Sequence, residues 1–149
     1  MKRAIPFIFL LVLVPTLVRA SGHNDMLGRM AEHSEIKAIA VIKRVQNLTC
    51  YSDGSFKHVH FKRIYAITPD TPKSFVGGCR DLDQRWQRRS KEFIYFRPIP
   101  GQKVYVTVSY NGGAITSFTP LTPDLEKAVR NDPYSLYYED GKARINPGE

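Results

Sequence analysis

Two histidines placed two residues apart are the first residues of this chain that could do chemistry. His58 and His60 flank Val59 in a segment that alternates apolar and polar residues. In a β-strand such residues point to the same face, about 7 Å apart, so both imidazoles could bind one Zn²⁺ or Cu²⁺. A third ligand would have to be His23, His33 or a carboxylate, and no spacing fixes it. Because strong zinc signatures combine two paired ligand sets, two solvated histidines on a strand are the favoured interpretation.

The densest basic segment is a candidate anion-binding site. Residues 84–91 carry four positive charges and no negative one. Arginine and tryptophan are typical of binding hot spots, so the predicted ligand-binding residues here are Arg85, Trp86, Arg88 and Arg89. The competing and favoured interpretation is a helix on which Leu82 and Trp86, at i and i+4, pack against the domain while the arginines stay in water. An exposed Trp86 would reverse that preference.

The strand around the histidines is itself basic and aromatic. Its cations and rings are interleaved: Lys57, Lys62 and Arg63 with Phe56, Phe61 and Tyr65. Such a mixture suits stacking on a planar ligand and contact with phosphate, so Lys57 and Lys62 are predicted ligand contacts. Phe61 and Tyr65 fall on the expected core face, which weakens the stacking argument.

Residue patterns of known catalytic sites are missing from the sequence. There is no GxSxG, no HExxH and no phosphate-binding glycine loop. Asp81 and Asp83 stand close to arginines, which favours ion pairing over general acid catalysis. The chain is therefore predicted not to be an enzyme, and no cofactor is predicted apart from the alternative of Zn or Cu at His58 and His60.

The N-terminus has the three parts of an export signal. Lys2 and Arg3 precede an uncharged, mostly apolar run over residues 4–18, and small residues stand at the −3 and −1 positions of a cleavage site between Ala20 and Ser21. The apolar run of fifteen residues is shorter than the roughly 20 that span a bilayer. We expect a signal peptide over 1–20, no transmembrane segment in the mature chain, and a periplasmic or extracellular protein. Without the three basic residues of 1–20, the mature 129 residues have 19 basic against 14 acidic side chains, a net charge of about +5.

Export changes the interpretation of the two cysteines. Cys50 and Cys79 are the only ones, and in an oxidising compartment such a pair most often forms a disulfide. The alternatives are two buried free thiols, or a redox pair, against which the absence of a CxxC spacing counts.

Export also limits the partners. An exported chain is not expected to meet cytoplasmic nucleic acid. This leaves an unknown protein, or an anionic glycan, a lipid headgroup or extracellular DNA, as the partner of the basic segments. The sequence predicts an exported binding or interaction module for an anionic ligand or an envelope partner. The alternatives are a secreted inhibitor of a hydrolase and a periplasmic metal-binding protein.

The elements that would position these residues are mostly short strands. Apolar alternation and turn residues predict strands over 35–45, 56–67, 75–79, 92–96, 103–110 and 114–118, and helices over 24–33 and 122–130. Residues 80–91 are predicted to form a helix or an ordered loop. A helix, five or six short strands and a polar insert fit a mainly β fold with a small closed antiparallel sheet, in one domain over residues 21–149 with an exposed C-terminal tail.

Several of these segments also match a known kind of fold. Residues 35–45, the strand over 56–67, the Gly77-Gly78 pair and residues 96–104 resemble small exported OB-fold-like modules, related in shape to netrin and TIMP-type barrels, over roughly residues 26–120. The resemblance implies an OB-like five- or six-stranded antiparallel barrel, and it informs fold more than function because many bacterial members have no assigned activity. TIMP-type inhibitors chelate the metal of a protease through a cysteine at the mature N-terminus. Ser21 stands at that place here, so the resemblance does not imply that mechanism.

Overall fold

The computed structural model describes residues 23–147. The predicted signal peptide, residues 1–20, lies outside the described residues. The described part is mainly β, with a helix before the first strand and another near the C-terminus. In chain order the elements are α1 (His23–Glu32), β1 (Ile36–Tyr51), β2 (Gly54–Ala66), β3 (Ser74–Asp81), β4 (Lys103–Val108), β5 (Ile115–Pro120), α2 (Pro123–Asn131), a 3₁₀ turn (Pro133–Ser135), β6 (Tyr137–Glu139) and β7 (Lys142–Arg144).

Five strands form one antiparallel sheet in the order β3-β2-β1-β4-β5, and β6 pairs with β7 in a separate hairpin. The β1–β2 hairpin is the longest feature, and its β1 strand has 16 residues. Three register shifts interrupt the pairing of β1 with β2. Such bulges bend a strand and increase its twist. The long strand β1 can therefore pair with β4 at its start and with β2 along its length.

The start of β1 is buried on both faces, which explains its near-continuous apolar sequence. Ala40 and Ile42 point into the main core between the curved faces of the sheet. Ile39 points the other way, to a second core in which Leu125 and Val129 of α2 cover the sheet. Thr122 caps this helix by accepting a hydrogen bond from the backbone N–H of Leu125, as the sequence predicts for a threonine before proline. The predicted buried strand and the predicted C-terminal helix are therefore both present.

The two edge strands of the sheet approach each other without closing it. Gly78 of β3 forms a single parallel bridge with Ala114, and its N–H donates to Gly113 O at 2.8 Å. At Gly77 a Cβ atom would lie 2.5 Å from Cγ1 of Ile115, so glycine allows this close approach. The strands form no continuous ladder here, and the sheet remains an open one with its edges in contact.

Two sequence predictions about individual elements were wrong, and a third was confirmed in one of its two alternatives. Residues 92–96 form no strand, because the only pairing there is one bridge between Arg80 and Tyr95. Residues 80–91 were predicted to form a helix or an ordered loop, and residues 82–91 form the loop and no helix. The C-terminal tail is not wholly exposed: the β6–β7 hairpin buries Ala143 in the second core.

Candidate functional site

The loop over residues 84–91, called the basic loop below, is held against the tip of the β1–β2 hairpin by one buried glutamine. The side chain of Gln87 is nearly inaccessible to solvent. Its Oε1 accepts hydrogen bonds from the N–H groups of Asp83 and Gln84, at 3.1 and 3.0 Å. Its Nε2 donates to Tyr51 O at 3.0 Å and to Ser55 Oγ at 2.9 Å. One side chain thus joins the basic loop to both strands of the hairpin.

Two further contacts fix the loop to the hairpin turn. The N–H of Arg88 donates to Ser52 O at 2.9 Å. The hydroxyl of Tyr95, just after the loop, donates to Asp53 O at 2.6 Å and accepts from the N–H of Ser90 at 2.9 Å. The loop lacks regular secondary structure, but the Gln87 side chain and the Arg88 N–H hydrogen-bond it to the β1–β2 hairpin.

The predicted basic and aromatic side chains of this loop are all exposed. They are Arg85, Trp86, Arg88 and Arg89. Trp86 is 56% exposed, which contradicts the favoured interpretation that it packs on the domain with Leu82. The guanidinium of Arg89 lies 4.9 Å from the ring centroid of Tyr95, a cation–π contact that orients it. An exposed tryptophan thus stands among three arginines on an anchored loop.

An ion cluster in which Lys57 and Asp81 are buried lies beneath the loop. Lys57 Nζ is 2.8 Å from Asp81 Oδ2 and 3.2 Å from Asp83 Oδ2. Ser55 Oγ donates to Asp83 Oδ1 at 2.6 Å, which links this cluster to Gln87. Lys57 was predicted as a ligand contact, but in the structure it is buried and its amine is ion-paired with both aspartates. Lys57 lies on the same face of β2 as the core residue Val59, so its amine points inward.

Mutual attraction favours the charged forms of Lys57 and Asp83. Burial acts to lower the pKa of Lys57, but hydrogen bonds and charge attraction from Asp81 and Asp83 outweigh it, so the pKa is raised above its ordinary value. Burial acts to raise the pKa of Asp83, but the contacts of its carboxylate with Ser55 and Lys57 outweigh it, so that pKa is lowered. The cluster is a structural ion pair on which the loop rests.

The two candidate metal ligands lie on the outer face of β2. His60 Nε2 is 3.1 Å from Nη2 of Arg44, and the rings of His58 and Phe56 meet edge to face at 5.7 Å. Burial lowers the pKa of His60, and the charges of Arg44 and His58 lower it further. Within residues 23–147 no group of three or more His, Cys, Asp or Glu side chains is placed to hold a metal ion. Lys62, the other predicted ligand contact on this strand, is exposed at a distance from the basic loop along β2.

The predicted disulfide between Cys50 and Cys79 is not formed, and both residues are free thiols. Cys50 on β1 is opposite Ser55 of β2, while Cys79 on β3 is opposite Lys57 of β2. The two cysteines are therefore on strands separated by β2, about 10 Å apart at two strand spacings, beyond the usual reach of a disulfide. Burial, with a smaller effect of Asp81, raises the pKa of the Cys79 thiol to about 12.

Comparison with known proteins gives no family for the chain. No protein-family model matches it, and no curated protein sequence or solved structure is significantly similar to it. In the described range, none of the helices has the length and apolar character needed to cross a membrane. Function must therefore be inferred from the residues and their geometry.

The sequence predicted the exposed basic and aromatic residues of this candidate site, but not the buried residues that anchor the loop. Gln87 looks like one more polar residue in a polar segment, and nothing in its neighbours predicts its hydrogen bonds. The alternation of β2 did contain the information for Lys57, because Lys57 shares the odd-numbered face with Val59 and Phe61.

Proposed function

We propose that this chain is an exported binding module that holds an anionic polysaccharide on the basic loop. The observation that carries the proposal is the contrast between two adjacent residues. Gln87 is 7% exposed and hydrogen-bonded to the hairpin, while Trp86 is 56% exposed. An isolated apolar ring in water is common, but one held between arginines on an anchored loop is suited to a partner.

The residue types fit a sugar polymer that carries sulfate or carboxylate groups. The planar guanidinium groups of Arg85, Arg88 and Arg89 can donate paired hydrogen bonds to such anions. The indole of Trp86 offers a flat apolar face against which a sugar ring can lie. Because the loop is already fixed by Gln87, little conformational entropy is lost on binding. The net positive charge of the mature chain adds long-range attraction for a polyanion.

A partly open OB-like barrel is the fold we propose for this module. The strand order β3-β2-β1-β4-β5 and the parallel bridge between Gly78 and Ala114 support a barrel whose seam lies between β3 and β5. OB-folds bind oligosaccharides and oligonucleotides with their second and third strands and the adjacent loops. The basic loop is attached to the β1–β2 turn, at one end of that region. Nuclear Overhauser contacts between Gly78 and Ala114 in solution would test the seam.

Export is part of the proposal and is supported by the composition of residues 1–20. A periplasmic or extracellular chain meets polysaccharides and lipids of the cell envelope, and not the nucleic acids of the cytoplasm. Mass spectrometry of the protein from the exported fraction of an expressing host tests this directly. We expect an N-terminus at Ser21, and a chain that starts at Met1 in the cytoplasm would contradict it.

The test of binding is retention on heparin, a sulfated polysaccharide, in a salt gradient. Wild type is compared with a variant carrying Arg85→Gln, Arg88→Gln and Arg89→Gln. The matched control carries Lys73→Gln, Arg97→Gln and Lys127→Gln, three exposed cations outside the loop. Both variants lose the same charge, so any difference between them reports position.

We expect the loop variant to elute at clearly lower salt than the control variant, and a further Trp86→Ala change to reduce retention without any change in charge. Equal loss in the two triple variants would show that only net charge matters and would refute the site. Retention on immobilised DNA or on anionic vesicles, with none on heparin, would assign the loop to another class of partner.

A further inference from the structure

An apolar cavity of 320 Å³ is lined by residues outside the basic loop. Its walls come from α1, Phe56 of β2, β3, residues 114–115 at the start of β5 and the segment over 92–96. The volume is at the lower end of the range of about 300–1,000 Å³ for small-molecule sites. It shares none of its lining with the basic loop.

The cavity exists because the edge of β3 that does not pair with β2 contacts two different segments in turn along its length. Gly78 is bridged to Ala114, whereas Arg80, two residues later, is bridged to Tyr95. Phe96 N–H donates to Arg80 O at 2.9 Å, which fixes the second partner. Between the two bridges no strand covers Cys79, and the space left there leads from the surface to the main core.

The interior of the cavity offers nothing to a polar group. The core residues Phe96, Ile115 and Cys79 contribute to its walls. The Cys79 thiol stays protonated at neutral pH because its pKa is raised to about 12 by burial. Arg80, at the opening, is already ion-paired with Asp53, and its guanidinium lies 4.0 Å from the ring centroid of Phe93. Only an apolar group enters without losing hydrogen bonds to water.

The opening of the cavity has an apolar lip and charged sides. Met26 and Met30, one turn apart on α1, are 57% and 40% exposed. Unbranched, polarizable methionine side chains adapt to flexible ligands. Arg80 and Glu92 add one charge of each sign to the lining. A molecule with an apolar tail and a polar head fits this arrangement, with its tail inside and its head in water.

We propose that this cavity binds the alkyl tail of a single-chain amphiphile that is free in solution, such as a fatty acid. The walls of the cavity are apolar and continuous with the main core, so the part of the ligand that enters should have no polar atoms. The charged opening and the exposed methionine lip select a ligand whose other end stays hydrated. The site is independent of the basic loop and of its polysaccharide.

The test is binding of octanoate, decanoate and dodecanoate below their micelle concentrations, measured by calorimetry on the protein from the exported fraction. Each methylene buried contributes about 0.8 kcal/mol, so affinity should rise about 15-fold for two added carbons until the cavity is full. The methyl carbons of Met26 and Met30 provide a second readout, because Met1 is the only other methionine of the chain. Both methyl NMR signals should shift saturably with decanoate.

A double variant, Met26→Gln and Met30→Gln, should weaken decanoate binding about tenfold by making the lip polar. Both residues are exposed, so the fold is expected to persist, and circular dichroism checks it. Leu48→Gln is the matched control, an exposed leucine outside the cavity that is 42% accessible. An equal loss in the control, no saturable binding of any of the three carboxylates, or binding to vesicles alone would overturn the proposal.

Discussion

Lys57 Nζ lies 2.8 Å from Asp81 Oδ2, and each side chain is more than nine-tenths buried. Asp83, two residues further along the chain and just past the end of β3, contacts the same amine at 3.2 Å. The pair joins β2 to β3 directly under the segment that carries Trp86. Its geometry links the stability of the sheet to the position of the basic loop.

Removing the cation of this pair should destabilise the fold strongly. We expect Lys57→Met to lower the free energy of unfolding by about 3–5 kcal/mol, because it leaves a buried carboxylate without a partner. Lys62→Met, on the exposed face of the same strand, should change it by no more than about 0.5 kcal/mol. Urea unfolding followed by circular dichroism measures both. The double variant Lys57→Met with Asp81→Leu should recover much of the loss, and an equal or larger loss would contradict the explanation.

Acid should weaken the same cluster through Asp83. Burial acts to raise the pKa of Asp83, but Ser55 and Lys57 outweigh it, so the folded pKa is below the ordinary 3.8. A carboxyl whose pKa is lowered by folding stabilises the fold above its unfolded pKa, and this contribution is lost as the pH falls through the folded pKa. Between about pH 5 and pH 2, Asp83→Asn should therefore show a smaller loss of stability than wild type. The same slope in both, with Asp70→Asn as an exposed control, would contradict this assignment.

The two thiols should differ in reactivity. Cys50 is exposed, while Cys79 is buried and its pKa is raised to about 12, so at about pH 8 iodoacetamide should label Cys50 alone in the folded protein. In urea without reductant both residues should be labelled, and mass spectrometry counts the additions. A denatured chain that takes no label would show that Cys50 and Cys79 are bridged after all.

Local sequence patterns correctly predicted the strands that pair along their full length. They failed where the structure depends on a single contact between residues far apart in the sequence. The alternation over 103–108 and the apolar start of β1 are properties of neighbouring residues, and both strands are present. Residues 92–96 have a strand-like composition, but β3 offers them only the bridge to Arg80, so no ladder forms. The predicted disulfide between the two cysteines was wrong for a similar reason. The order of the strands in the sheet, which cannot be read from composition, places β2 between Cys50 and Cys79.

The exposed part of the candidate site was predictable because charge and tryptophan content are visible in residues 84–91. Its rigidity was not, because that depends on Gln87 meeting Tyr51 and Ser55, more than thirty residues away. Lys57 was predicted as a ligand contact from its basic and aromatic neighbours, although its position on the strand places it on the same face as Val59. The residues that anchor the loop are distinguished from those on its proposed binding face by their contacts in the fold, and not by their residue types.

The loop's rigidity should itself contribute to binding. Gln87→Ala removes the hydrogen bonds to Tyr51 O and Ser55 Oγ and leaves every charge in place. We expect its retention on heparin to fall, because the loop would then lose conformational entropy on binding. Gln46→Ala, an exposed glutamine on β1, is the control. Unchanged retention in Gln87→Ala, with the loop shown to be mobile by NMR, would mean that preorganisation is irrelevant.

The most direct measurement uses Trp86 as the probe, because it is the only tryptophan of the chain. Its emission is followed while heparin fragments are added, with neutral dextran as the control, at increasing salt. If the basic loop is the binding site, heparin shifts the emission saturably, the affinity falls as salt rises, and the Arg85, Arg88 and Arg89 to Gln variant shows a much weaker response. Saturable heparin binding that leaves the emission of Trp86 unchanged would contradict the account.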